Sequence, residues 1–178
     1  MSIRDWFGLK GSSSEAASTA ETETVRKIVA RLEAIEPDKA RFIAAFAYNL
    51  SRVAHADLSI DAAETRTMER LVVEVGKLPE EQAVLAVQIA KSQARLFGST
   101  ENFLVTREFR ELSSEEERLR LLDCLFAVSA ADGSISGQEE AQITSIATEL
   151  GFTRRQMVEV RSRWNDQRAI LQRPPDSA

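Results

Sequence analysis

The chain has 178 residues, 43% hydrophobic and 29% charged, which suits one globular domain and is not the profile of a disordered chain. Lys and Arg number 23 against 28 Asp and Glu, leaving a net charge of −5 that argues against electrostatic capture of nucleic acid and points to cations or basic partners. A single cysteine, Cys124, rules out an internal disulfide and suits a reducing compartment, and a single histidine, His55, rules out chemistry that needs two imidazoles.

Residues 1–23 stand apart. Ile3, Trp6, Phe7 and Leu9 form an apolar knot that could dock on a membrane surface or a partner. Gly11 to Glu23 is Ser, Ala, Thr and Glu without a large apolar side chain, and reads as a linker. Neither a secretory signal nor a run long enough for a membrane span is recognisable, so a cytoplasmic protein is expected.

From there the seven glycines and four prolines fall at intervals of helical length, and Ala, Leu, Glu, Arg and Gln dominate between them. The pattern predicts helices over 22–36, 38–57, 62–75, 79–97, 100–112, 114–131, 137–150 and 153–171. The fold class is all-α, a compact bundle of seven or eight helices over 24–172, with 173–178 a C-terminal tail. Met68, Leu71, Val72 and Val75 follow the i, i+3, i+4, i+7 stripe of a buried helix face, as do Ile143, Ile146, Ala147 and Leu150.

Those two stripes belong to a longer internal match. Val53-Ala-His-Ala-Asp57-Leu-Ser-Ile-Asp-Ala-Ala-Glu64 aligns with Val128-Ser-Ala-Ala-Asp132-Gly-Ser-Ile-Ser-Gly-Gln-Glu139 at an offset of 75 residues, continuing to Gly76 and Gly151. Each copy reads as a long helix ending in Ala-Asp, a tight loop and a second helix. The bundle is therefore expected to be built from two pseudo-symmetric helical hairpins, about 38–76 and 113–151.

The loops carry the candidate chemistry. Asp61 with Glu64, and Ser136 with Glu139, match the box that caps a helix start. Asp57 and Asp132 sit near helix C-termini, where a negative charge opposes the helix dipole at a cost of about 0.3 to 1 kcal/mol. Either an Asx turn, for which Asp132-Gly133 is suited, or a bound cation would compensate. An EF-hand is excluded, because its twelfth position would be Met68 in one copy and Ile143 in the other rather than glutamate. If the two loops approach each other, four carboxylates and the serine hydroxyls could surround Ca²⁺, Mg²⁺ or Mn²⁺.

The segment Ala-Ala-Asp132-Gly-Ser-Ile-Ser-Gly-Gln-Glu139, preceded by Glu117-Arg-Leu-Arg-Leu-Leu-Asp-Cys-Leu-Phe-Ala-Val and followed by Ile143, Ile146 and Leu150-Gly151, resembles the TerB family of tellurite-resistance-associated proteins. The resemblance runs over about 38–165. It implies an all-helical domain, a divalent-metal site at Asp57, Glu64, Asp132 and Glu139, with Asp61 and Ser134 as lesser candidates, and a role in tellurite or metal-ion stress rather than catalysis. Leu58 departs from the pattern where the second copy has Gly133, which weakens the first loop as a ligand. Similar domains occur in membrane-bound co-chaperones, so protein partners, membrane-associated ones among them, are expected, and nucleic acid is not. A metal-free helical interaction scaffold is the alternative.

The repeat places Ala130 opposite His55, so a ligand role for that histidine is not required. The six arginines between Gly151 and Arg173 face only Glu159 and Asp166 in sequence, and are expected on a solvated face or paired with acidic neighbours.

Overall fold

The computed structural model describes residues 19–54, 61–93 and 102–168, so the apolar knot, His55, Asp57, Leu58 and the last ten residues lie outside the described residues. Among the described residues there are eight α-helices and no strand: α1 Thr19–Glu33, α2 Pro37–Ala54, α3 Ala62–Glu74, α4 Glu80–Gln93, α5 Asn102–Leu112, α6 Glu115–Ser129, α7 Gly137–Glu149 and α8 Arg154–Ser162. None is long and apolar enough to cross a membrane.

Helix α2 is the centre. Pro37 supplies its first residue, where a missing N–H costs nothing, and the Glu36 carboxylate accepts from the backbone N–H groups of Asp38 and Lys39 at 3.2 and 3.0 Å. From Ile43 to Ser51 every residue is buried. Such a helix must be covered on all sides, and α4 and α5 provide the most extensive cover, with α1, α6 and α7 completing it. Phe42, Phe46 and Phe109 form a ring cluster between α2 and α5, with centroids 4.9 to 6.4 Å apart.

The 75-residue offset survives in the element limits. Helix α3 starts and ends 75 residues before α7, their N-caps are Asp61 and Ser136, and α2 ends 75 residues before α6. The second helix of each hairpin also packs on the first helix of the other, α3 on α6 and α7 on α2. Met68 and Ile143, equivalent by the offset, are both buried.

The match weakens at the helix ends. Gly151 adopts a left-handed φ of +85°, whereas at the aligned position it is the next residue, Lys77, that turns left-handed at φ 59°. Gly76 is needed for a different reason: a Cβ there would lie 2.6 Å from the Val72 carbonyl oxygen and 3.1 Å from the Phe46 ring. The pairing of these glycines in the alignment therefore hides two distinct requirements.

Two boundaries also differ from the periodic pattern. Helix α1 begins at Thr19, inside the stretch read as a linker, because Thr-Ala-Glu-Thr-Glu lacks large apolar groups but not helix-forming ones. Helix α8 ends at Ser162 rather than near 171. The chain then turns so that the Ile135 N–H donates to the Gln167 carbonyl at 2.7 Å, forming an isolated parallel bridge between Ile135 and Arg168. Trp164, read as a helical residue, instead stacks on Phe126 at 6.0 Å and 13°. That stack half-buries the indole where the helix has ended.

Candidate acidic-loop site

The second hairpin loop is described in full. Helix α6 runs into a single 3₁₀ turn, Ala130–Asp132, and Gly133 reverses the chain at φ 105°. A Cβ at Gly133 would meet nothing within 4 Å, so the glycine is required by its dihedral alone. The exposed Asp132 carboxylate accepts from the Ser134 N–H at 3.2 Å, an Asx turn. Ile135 is fully buried and anchors the loop to the core. Ser136 then caps α7, its Oγ accepting from the Glu139 N–H at 3.2 Å while Glu139 Oε2 accepts from the Ser136 N–H at 2.8 Å.

The first loop is described from Asp61 onward. Asp61 Oδ1 accepts from the N–H groups of Ala63 and Glu64 at 2.6 and 2.8 Å, and Glu64 Oε2 accepts from the Asp61 N–H at 2.7 Å. The backbone N–H groups of Glu64 and Ala63 hold the Asp61 carboxyl below its ordinary value.

Of the candidate ligands, Glu64, Asp61 and Glu139 are thus engaged in capping boxes, and Asp132 in a turn, with Ser134 donating its backbone N–H to that turn. Asp57 lies outside the described residues. Among the described residues no group of three or more His, Cys, Asp or Glu side chains is placed to hold a metal ion. The described part of the loops does not by itself fit a Ca²⁺ or Mg²⁺ shell, which takes six or more oxygens.

The acidic residue that gathers charge is the neighbour of a candidate. Glu140 receives Arg168 through two bonds, Nε to Oε2 at 2.8 Å and Nη2 to Oε1 at 2.7 Å, and Arg161 at 3.3 Å. Arg163 pairs with Asp123 at 3.2 Å. Three of the six arginines between Gly151 and Arg173 are therefore spent on acidic neighbours from α6 and α7. Local sequence signals cap Glu139 but cannot reveal the partner of Glu140, which lies 28 residues away.

Nucleophilic chemistry finds no purchase at Cys124. The thiol is buried beside α3, Sγ 3.9 Å from the Leu71 carbonyl, and desolvation pushes it up to about 12. It is a thiol, not a thiolate, at neutral pH.

A sequence model of the family described as tellurite resistance protein TerB matches residues 42–162, more than half of the chain. No curated protein and no solved structure matches it.

Proposed function

The chain belongs to the TerB family, and from that premise we propose that it is a non-catalytic helical interaction module acting in tellurite or metal-ion stress, with acidic loops that serve to close its hairpins. The observation that carries this reading is the reciprocal capping at Asp61 and Glu64 and again at Ser136 and Glu139, 75 residues on. Carboxylates committed to backbone N–H groups at both helix starts stabilise a fixed scaffold.

A second reading is a divalent-cation site centred on the Asp132 loop. What favours it is that the exposed Asp132 carboxylate follows α6 at its C-terminal end, where the dipole is unfavourable, and receives one long backbone hydrogen bond. A cation would relieve that repulsion.

One experiment separates them. The full chain is stripped with a chelator and melted with Ca²⁺, Mg²⁺ or Mn²⁺ in excess. The scaffold reading expects an unmoved transition. A cation at about 100 times its Kd would add roughly 2.7 kcal/mol and raise the melting temperature by roughly 5 to 10 °C. If that rise occurs and Asp132→Asn abolishes it, the loops are a metal site and the first reading fails.

A further inference from the structure

Away from the acidic loops, a cavity of about 490 Å³ opens between α5, α6 and α7, lined by Arg107, Arg110, Glu111, Arg118, Thr148 and Glu149. Its two carboxylates are already committed. Glu111 accepts from Arg107 Nε at 3.1 Å, and Glu149 accepts from both Arg52 Nη atoms at 2.7 and 2.9 Å. Thr148 spends its hydroxyl proton on the Thr144 carbonyl. Arg110 and Arg118 make no ion pair or side-chain hydrogen bond among the described residues. The Nε of Arg118 is buried with no acceptor at all.

The Arg110 guanidinium lies against Gly151. A Cβ on Gly151 would lie 2.7 Å from its Cζ and 2.9 Å from its Nη2. Glycine at 151 thus does two things, turning the chain at φ +85° and leaving room for a guanidinium. Arg110 is exposed and Arg118 half-buried with its Nε short of an acceptor, and the cavity's two carboxylates are taken by other arginines, so an anion entering it would meet two guanidinium groups that have no carboxylate of their own.

We propose that the α5–α6–α7 cavity binds a phosphate-type oxyanion, held by the uncommitted guanidinium groups of Arg110 and Arg118. Each guanidinium offers a fork of parallel donors. A lone carboxylate has two oxygens and satisfies one fork, whereas a tetrahedral dianion has oxygens for both. The proposal is independent of the acidic loops, since none of their residues lines this cavity.

The test is calorimetric titration of the full chain with inorganic phosphate and, in parallel, with phosphoserine, against sodium chloride at matched ionic strength. Saturable 1:1 binding is expected, and the tighter arm tells a free oxyanion from an esterified one. Arg110→Gln and Arg118→Gln should each weaken it about tenfold or more. Arg155→Gln, at an exposed position of α8 outside the cavity, should leave it unchanged. Because Arg118 is partly buried, Arg118→Lys is the companion variant. It retains charge without the fork, and should bind more weakly than wild type while folding normally by circular dichroism. No saturation below about 10 mM in either arm, or wild-type affinity in Arg110→Gln, overturns the proposal.

Discussion

Arg52 and Glu149 tie the two hairpins together. The guanidinium on α2 grips the carboxylate on α7 through two bonds of 2.7 and 2.9 Å, with only 6% and 15% of the two side chains exposed. Arg52 Nη1 also donates to Thr106 Oγ1 at 2.9 Å, and Thr106 donates to Asn49 Oδ1 at 2.8 Å, so α5 joins the network. By the 75-residue offset the counterparts are Ala127 and Glu74, and no such pair is possible there. The ion pair belongs to one side of the molecule only.

Removing one partner leaves the other charge buried. Glu149→Ala should therefore cost about 3 kcal/mol in denaturant unfolding, and Arg52→Met a similar amount. The double variant Arg52→Met with Glu149→Leu should recover much of that loss, because an apolar pair of similar volume has no charge to desolvate. Strict additivity of the two single losses would show that the residues do not act as a pair.

Two acids should respond to pH with opposite signs. Burial pushes the Glu149 carboxyl up, but Arg52, with Thr106 and Ser145, outweighs it and the net shift lies below the ordinary 4.5. Its stabilisation is present above that value and lost as pH falls through the lower folded value. Glu149→Gln should accordingly flatten the acid limb of the stability curve below about pH 4.5. Burial pushes Asp123 above its ordinary 3.8, against the smaller opposing effects of Arg163 and Trp164. Its ionised form is a burden at neutral pH that acid relieves, so Asp123→Asn, which keeps an acceptor for Trp164 Nε1, should not lower the melting temperature at pH 7. A clear drop there would show that the Arg163 pair dominates.

The capping boxes were legible because they are local. Asp61 with Glu64 and Ser136 with Glu139 need four residues of sequence, and the buried stripe through Ile143, Ile146, Ala147 and Leu150 needs two helical turns. Arg52 with Glu149 spans 97 residues, and nothing within a window of one or two turns foretells it. The end of α8 escaped for a related reason: Trp164 and Arg168 continue a helical pattern, yet Phe126 and Glu140, both distant in the chain, draw them out of it. Arg110 and Arg118 are legible only as arginines, since what sets them apart is the acceptors they lack.

Each cap should carry a modest, separable share of stability. Ser136→Ala and Asp61→Ala remove the acceptor for one and two backbone N–H groups respectively, and each should cost about 1 kcal/mol in thermal or urea unfolding. Ser136→Asp should be nearly neutral, because Asp is as good an acceptor at a helix start. A loss above about 3 kcal/mol for Ser136→Ala would mean that its hydroxyl does more than cap.

The segment after α8 behaves as a strap over the second loop, and its strength can be read at one amide. Ile135 donates to the Gln167 carbonyl at 2.7 Å, and the strap is pinned next door where Arg168 grips Glu140. Arg168→Gln removes the pin while Arg161 still faces Glu140 at 3.3 Å, so the loss should fall short of the roughly 3 to 5 kcal/mol of a fully broken buried pair, at about 2 kcal/mol. Hydrogen exchange at the Ile135 amide should then quicken by about 30-fold through local opening of the strap. Amides of α2 should slow or quicken only as global stability does, since that helix is covered by α4 and α5 rather than by the strap. Unchanged protection of Ile135 in Arg168→Gln would mean that Trp164, stacked on Phe126, holds the strap by itself. In that case Trp164→Ala is the substitution that releases the Ile135 amide.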